Sequence, residues 1–267
     1  MTLSIIYINY NTRGLLKQSL KHLFLVRPAL DFEVLVVDNN SSDASVEMLK
    51  EKFSKVKVIE AKENLGYAKG ANLGLQNATG NYVAIFNADI FVTSGALESA
   101  INYLDNNLGV AMVGPKLTNA DGSLQYSCYR FPKAYTPFLR RTFLGETAFG
   151  KKEIGRYLMK DYNHMDNHMV DWLLGGALIA RKKALEEVGF FDERFLLYFE
   201  DTDLGRKLKN KGYKVVYLPS AKMVHLHRRE SADSGVLKSL FSRTTRIHIK
   251  SAIKYFWKYY HRSNHRF

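Results

Sequence analysis

Residues 84–92 read AIFNADIFV, an apolar run with an amide, Asn87, and an acid, Asp89, one residue apart inside it. A run this apolar is expected to be a strand buried on both faces, the mark of a parallel sheet covered by helices. An ionised carboxylate inside such a strand is very costly unless it is paired or holds a metal. Two readings of Asp89 follow. It ends the strand and shapes a turn, or it stands at the strand's exit and offers hard oxygen to a divalent cation.

The surrounding sequence repeats the pattern. LSIIYINY (3–10), FEVLVVD (32–38), VKVIEA (56–61), NYVAIFNAD (81–89) and GVAMVGP (109–115) are all short apolar runs. Helical stretches separate them. Arg13 to about Leu25 carries Leu15, Leu16, Leu20 and Leu23 at helical spacing, and a second helix opens with Ser42 or Asp43 as N-cap. NLGYAKGANLGLQNA is a loop entering a helix, and GALESAINYLDNN (95–107) is another helix. This alternation predicts an α/β protein with a Rossmann-like, mostly parallel central sheet and helices on both faces. Polar clusters fall where strands end: Asn9-Tyr10-Asn11, Asp38-Asn39-Asn40-Ser41-Ser42 and Asn87-Ala88-Asp89. Ligands of open α/β sheets bind at that end, so the three clusters are expected to converge on one crevice.

The second half changes character. ADGSLQYS (120–127) reads as a hairpin return around Asp121-Gly122. Residues 129–168, aromatic and basic with little periodicity, read as a long loop. WLLGGALIAR (172–181) is a strand interrupted at Gly175-Gly176, as at a bulge or a close ligand approach. Glu200 to Lys211 is a helix ending at Gly212, followed by two short strands, 213–219 and 221–227.

With 267 residues, 46% of them hydrophobic, the chain is expected to form one large α/β domain, alone or with an appendage. A single cysteine, Cys128, excludes an internal disulfide and suits a reducing cytoplasm. The start, MTLSIIYINYN, lacks a signal-peptide pattern, and no run approaches the ~20 apolar residues of a membrane span. The net charge is +13, and from Lys222 onward eleven Lys and Arg against two acids leave nine of those charges in the tail. An anionic membrane surface, a phosphorylated substrate or a solvated basic face each fits that charge. No recognition helix, zinc finger or RNA-binding sheet motif is present, so no nucleic-acid partner is expected. Arg246, Lys250, Lys254, Lys258 and Arg262 recur every four residues beside Ile249, Ile253, Phe256, Trp257 and Tyr260. Such a basic amphipathic helix either lies in a membrane interface or packs its apolar stripe on the domain.

Several residues could carry chemistry. Asp38 accepts hydrogen bonds from a base or ribose, or serves the turn that follows it. The three glycines of NLGYAKGANLG (64–74) allow phosphate to approach a helix N-terminus, or simply close packing; the motif is neither a dinucleotide fingerprint nor a P-loop. Glu200, Asp201 and Asp203 either complement a helix dipole or supply a general base. His225 and His227 share a strand face, as metal ligands or as hydrogen-bonded core residues.

In this order and spacing, INYNT, VVDNNSSD, ENLGYAKGANLG, FNAD, WLLGGALIARK, GFFDERFLLYFEDTDL, GYKVVYLP and VHLHRRES give a chain that, over about residues 3–230, resembles family 2 glycosyltransferases with the GT-A fold, nearest their bacterial rhamnosyltransferase-like branch. The resemblance implies a GT-A domain over 1–230, with a nucleotide-binding half (1–115) and an acceptor and catalytic half (116–230), and a basic helical tail over 231–267. It implies that Asn9, Tyr10, Asn11 and Asp38 hold the base and ribose of a nucleoside diphosphate sugar, with Asn40 also among the nucleotide-sugar-binding residues. Asn64, Gly66 and Asn72 line the same pocket, and Asn87, Gly175 and Gly176 complete it. Asp89 stands at the family's DXD position as ligand of Mg²⁺ or Mn²⁺, with His225 helping to hold metal or phosphate. Asn87, an amide, replaces the first acid of that motif. Asp201 matches the catalytic base of an inverting transfer.

The implied donor is dTDP- or UDP-linked, dTDP-rhamnose first. The implied acceptor is a glycan or polyprenyl-diphosphate-linked saccharide of bacterial cell-surface polysaccharide synthesis, met in the cytoplasm or at the inner face of its membrane. Two rivals are a non-catalytic sugar-nucleotide or glycan-binding module of the same fold, and a nucleotidyltransferase. The latter would want a glycine-rich basic loop after its first strand, which INYNTRG does not offer.

Overall fold

The structure, a computed structural model, describes residues 2–226 and 243–263. His227, the expected boundary at 230 and the first part of the tail lie outside the described residues.

The apolar runs of the first half form β1 (Leu3–Asn9), β2 (Phe32–Asp38), β3 (Val56–Glu60) and β4 (Tyr82–Asn87). Their pairings with one another are parallel, and β1 lies between β2 and β4. Strand order therefore reverses direction at β1, which is where open α/β sheets place their binding crevice. The register puts Asn9 beside Asp38 and Ile8 beside Asn87, so the polar clusters share one edge. Helices α1 (Arg13–Val26), α2 (Ser45–Lys52) and α3 (Gly66–Asn77) make the crossovers.

Two local starts differ from expectation. The second helix begins at Ser45, behind Ala44 in the left-handed region at φ 58°, not at a Ser42 or Asp43 cap. Asp43 accepts the backbone N–H groups of Ser45 and Arg13, tying the starts of α1 and α2 together. The fourth run breaks after Asn87: Ala88-Asp89 turn the chain, and β5 (Ile90–Val92) is a separate strand.

After α4 (Ala96–Asn106) come β6 (Val110–Thr118), β7 (Leu124–Gln125) and β8 (Cys128–Tyr129), with β6 and β7 forming the expected return. Residues 129–168 are not a loop. They contain α5 (Thr136–Leu139), a 3₁₀ turn at Phe143–Glu146 and α6 (Ala148–Tyr157). Elements of four to ten residues are too short to display a helical period. Tyr129, Tyr157 and Trp172 pack as an aromatic cluster that anchors the segment, with Tyr129 stacked on Trp172 at 4.2 Å. Thr136 and Arg156 both hydrogen-bond the buried Glu153, joining α5 to α6.

The remaining elements are β9 (His168–Val170), β10 (Trp172–Leu173), β11 (Ala177–Arg181), α7 (Lys182–Glu187), α8 (Glu200–Asn210), β12 (Lys214–His225) and α9 (Arg243–Ser263). The two short strands expected at 213–227 are one strand, β12; a register shift between Leu218 and Lys222 absorbs the Pro219-Ser220 break. The sheet runs β3-β2-β1-β4-β11-β6-β12-β5, with β11 and β5 antiparallel to their neighbours. Each face has its own core. Leu16, Leu20 and Leu23 of α1 and Leu97, Ile101 and Leu104 of α4 cover one. Ala71 and Leu75 of α3 and Leu204 and Leu208 of α8 cover the other.

No helix among the described residues is long and apolar enough to cross a membrane. α9 packs one side on α8 and leaves another open. Ser251 and Tyr255 are buried, and Lys258, expected on a basic stripe, instead bridges Asp192 and Asp203 at 2.7 and 2.6 Å. Ile249, Ile253, Trp257 and Tyr260 stay exposed on the other side. Removing one member of a buried ion pair strands its partners in a low-dielectric site at a cost of roughly 3–5 kcal/mol. Lys258→Ala is therefore expected to lower Tm by roughly 6 °C or more, whereas Lys254→Ala, at an exposed position four residues away, should leave Tm nearly unchanged; calorimetry of both variants checks this.

Candidate active site

The Gly175-Gly176 break between β10 and β11 forms the floor of a cleft of about 880 Å³. Asn87, Gln125, Tyr67, Glu200, Asp201, His225, Arg140 and Arg141 are among its walls. Side chains at the two glycines would fill it. A Cβ on Gly175 would stand 3.4 Å from the Asp201 carboxylate, and one on Gly176 would stand 3.2 Å from the Asn87 amide nitrogen. The break thus gives Asp201 and Asn87 access to one volume.

Asp201 enters through an unusual approach to α8. Tyr198 and Phe199 both lie in the left-handed region, at φ 67° and 69°, which costs non-glycine residues of order 1–3 kcal/mol each. Phe199 is held there against Tyr255 and His248 of α9, with ring centroids 5.2 and 5.4 Å away. The turn delivers Glu200, Asp201 and Asp203 into the protein together, all buried. Asp203 faces α9 and accepts from Lys258 and the Tyr259 hydroxyl, which removes it as a candidate base.

Asp201 Oδ2 accepts from the Gly175 N–H at 3.0 Å and Oδ1 from the Thr202 N–H at 2.7 Å. Burial nevertheless pushes its carboxyl up to about 6. Burial, aided by the neighbouring Asp201 charge, raises Glu200 well above the usual carboxylate range. Glu200 Oε2 is buried and meets no hydrogen-bond partner among the described residues. Burial therefore favours the neutral form on Glu200, while the backbone N–H groups of Gly175 and Thr202 favour the charged form on Asp201.

Asp89 lies on the turn after β4, and His225 ends β12. Their Oδ1 and Nε2 atoms are 3.3 Å apart, and the Asp89 carbonyl takes the Leu226 N–H at 3.0 Å. Gln125 fixes the ring's tautomer. Its amide N–H groups donate to Asn119 Oδ1 and the His225 carbonyl, so its oxygen faces His225 Nδ1 at 2.9 Å. An amide oxygen only accepts, so Nδ1 carries the proton, and in the neutral ring Nε2 directs its lone pair towards Asp89. A carboxylate oxygen facing an imidazole nitrogen across 3.3 Å is a donor set for a hard or borderline cation, with the outer nitrogen oriented as in metal sites. The residues present fit a divalent metal. No third His, Cys, Asp or Glu joins them among the described residues, so further ligands would come from the ligand or water.

The residues expected on the nucleotide side form a separate cluster at the carboxyl ends of β1 and β2. Asn9 donates to Asp38 at 2.7 Å, and Asp38 also accepts the Ser41 N–H at 2.8 Å. Asn11, at φ 51°, accepts the Ser42 N–H, and Tyr10 and Asn40 lie exposed at the rim. Asn64 caps the Gly66 N–H at 2.9 Å; Gly66, at φ 74°, passes so close to Leu196 that a Cβ would stand 2.7 Å from its carbonyl oxygen. Asn72 differs from expectation. Its amide holds the backbone of Phe191 through both N–H and C=O and also reaches Glu193, so it latches the 191–193 loop rather than lining a pocket. Tyr67 links the two regions, its hydroxyl donating to the Gly175 carbonyl.

Gln125, Tyr67 and the Arg140-Arg141 pair line the cleft but were not singled out by the motifs, whereas Glu200 was named there only beside Asp201 and Asp203. The only sequence signal was an adjacent pair of arginines in an aromatic segment.

Residues 4–189 match the profile of Glycosyl transferase family 2, and residues 135–259 that of Glycosyl transferase family group 2. The chain is 26% identical over 250 residues to the N-acetylglucosaminyl-diphospho-decaprenol L-rhamnosyltransferase of Mycobacterium tuberculosis, covering 86% of this chain and 77% of that one. It is 25% identical over 181 residues to rhamnosyltransferase WbbL of Escherichia coli, covering 67% of this chain and 62% of that one. Among solved structures, the mannosyltransferase PcManGT from Pyrobaculum calidifontis with GDP-Man and Mn²⁺ superposes with a TM-score of 0.58 at 20% identity, over 86% of this chain and 58% of that one. GalNAc-T7 with UDP, GalNAc and Mn²⁺ gives 0.66 at 15% identity, over 96% of this chain and 47% of that one. The chain thus spans about half the length of these solved structures and shares their GT-A fold. With a profile match over more than half its length, it belongs to glycosyl transferase family 2.

Proposed function

We propose that this glycosyltransferase moves a hexose, rhamnose first among the candidates, from a dTDP- or UDP-linked donor to a polyprenyl-diphosphate-linked or glycan acceptor in cell-surface polysaccharide synthesis, with inversion. The observation that carries the reading is Asp201: a buried, oriented carboxylate with raised proton affinity, in the same cleft as Asn87 and His225. The named activities of the M. tuberculosis and E. coli relatives support the sugar and acceptor classes.

Asp201 takes the proton of an acceptor hydroxyl as its oxygen bonds to the anomeric carbon. The bond from that carbon to the diphosphate breaks on the opposite face, and the electron pair leaves with the diphosphate. General-base assistance of this kind is worth roughly 10²–10⁴-fold. The Gly175 and Thr202 N–H groups hold the carboxylate in place, and burial beside Glu200 raises its affinity for the proton. Asn9, Asp38, Asn11, Tyr10, Asn40, Asn64 and Gly66 bind the nucleoside, with Asn87, Gly175 and Gly176 along the sugar diphosphate. Asp89 and His225 would hold Mg²⁺ or Mn²⁺, which supplies positive charge to the leaving diphosphate when bound. Arg140 and Arg141 add fixed positive charge to the cleft. The exposed Arg246, Lys250 and Lys254 of α9 suit an anionic membrane surface and support a location at the inner face of the cytoplasmic membrane.

Asp201→Asn is expected to lose about 10²-fold or more in turnover while retaining donor binding, measured by transfer assay and nucleotide titration; near-normal transfer removes Asp201 as the base. Because the base must be ionised, kcat/KM should fall about tenfold per pH unit below about 6. Stability runs the other way. The folded chain holds this proton more tightly than the unfolded one, so this group's contribution is fully present near pH 4 and is lost as pH rises through about 6; Tm against pH for wild type and Asp201→Asn reads it. Thermal shift with dTDP or UDP should show an added increment with Mn²⁺ that Asp89→Ala abolishes. An increment of equal size in that variant places the cation elsewhere.

A further inference from the structure

Beyond Arg141 the catalytic cleft opens into a second cavity of about 610 Å³ between α5 and α9. Pro137 and Phe138 of α5 face Ile249, Ala252, Ile253 and Phe256 of α9 across it. The two cavities share Pro137, Arg141 and His248, so the groove is a continuation of the cleft. Polarity is distributed unevenly along this path. The cleft end holds the Arg140 and Arg141 guanidinium groups, Arg140 packed over the Tyr157 ring at 5.0 Å. Burial, with Arg141 and Arg140 nearby, pushes His248 down to about 4, so at neutral pH it adds no charge at the junction. The far end is apolar and open: Phe138 is 58% exposed and Ile253 is 62% exposed, on opposite walls.

We propose that this groove receives the isoprenoid chain of a polyprenyl-diphosphate-linked acceptor, with Arg140 and Arg141 on its diphosphate. The acceptor class rests on the sugar-transfer reading above; the groove, its polarity and its continuity with the Asp201 cleft are read from this structure. A ligand anionic at one point and apolar along the rest of its length matches both ends of the path. An extended peptide does not, because its backbone N–H and C=O groups would lie unpaired along apolar walls. The direction is set as well. An acceptor sugar joined to the diphosphate would extend from the arginines towards Gly175 and Asp201, on the side opposite the isoprenoid.

Calorimetric titration of the full-length protein with farnesyl diphosphate, farnesol and inorganic diphosphate tests this. Farnesyl diphosphate is expected to bind at least tenfold more tightly than either fragment. Phe138→Glu and Ile253→Glu, at solvent-facing positions that leave the core intact, should each weaken farnesyl diphosphate at least tenfold and leave inorganic diphosphate unchanged. Arg141→Ala should weaken both diphosphates. If both Glu variants bind farnesyl diphosphate like wild type, the groove is not its site. If they lose only co-sedimentation with phosphatidylglycerol vesicles, the face docks on membrane and the proposal is overturned. Thermal shift with dTDP and UDP on the same samples separates the two readings: groove-dependent farnesyl diphosphate binding without any nucleotide stabilisation supports the groove and counts against sugar transfer.

Discussion

Three carboxyl groups within four residues, Glu200, Asp201 and Asp203, are buried at the start of one helix, and much of the molecule is arranged around that fact. Water cannot solvate them there, so each needs its own solution. Asp203 receives a cation and a hydroxyl from α9. Asp201 receives backbone N–H groups from Gly175 and Thr202. Glu200 leaves Oε2 without a partner among the described residues, and burial raises its proton affinity. The C-terminal helix, the glycine break and the basic carboxylate are thus three answers to one electrostatic demand.

The other organising constraint is the sheet edge. Parallel strands with residues in register bring Asn9, Asp38 and Asn87 to the same side without any long-range signal in the sequence beyond strand length. β4 ends at Asn87 and the chain then crosses to the far edge of the sheet as β5, so Asp89 sits on the crossing itself. There it meets His225, contributed by a strand that is not adjacent to β4. Local turn chemistry at Asp89 and its proximity to a histidine are therefore both correct descriptions of one residue.

What was legible in the sequence follows from range. Strands β1 to β4 were readable as continuous apolar runs, α1 by the spacing of its leucines, and α3 and α4 as the stretches between those runs. Asn87, Gly175, Gly176, Asp201 and His225 were placed by motif and do line one cleft. Asn72 belongs to the same glycine-rich motif, yet its partners are Phe191 and Glu193, more than a hundred residues away, and no local pattern distinguishes a latch from a ligand. Lys258 looked like one of five periodic cations; only the fold shows that its neighbours are Asp192 and Asp203. The helices of 136–157 were hidden by shortness. The role of Gln125 was hidden because it acts on the far nitrogen of a ring, a matter of orientation rather than composition.

Tyr198 and Phe199 hold a conformation that neither residue favours, and α9 presses on them through Tyr255 and His248. The same helix forms one wall of the apolar groove. Whatever occupies that wall and whatever occupies the pocket at Asp201 therefore act on a single mechanical element. Thermodynamic reciprocity then applies: if a guest along α9 changes how well the turn seats Asp201, a guest at Asp201 changes the affinity along α9 by the same factor. The far end of an acceptor and its reacting end would be sensed as one binding event.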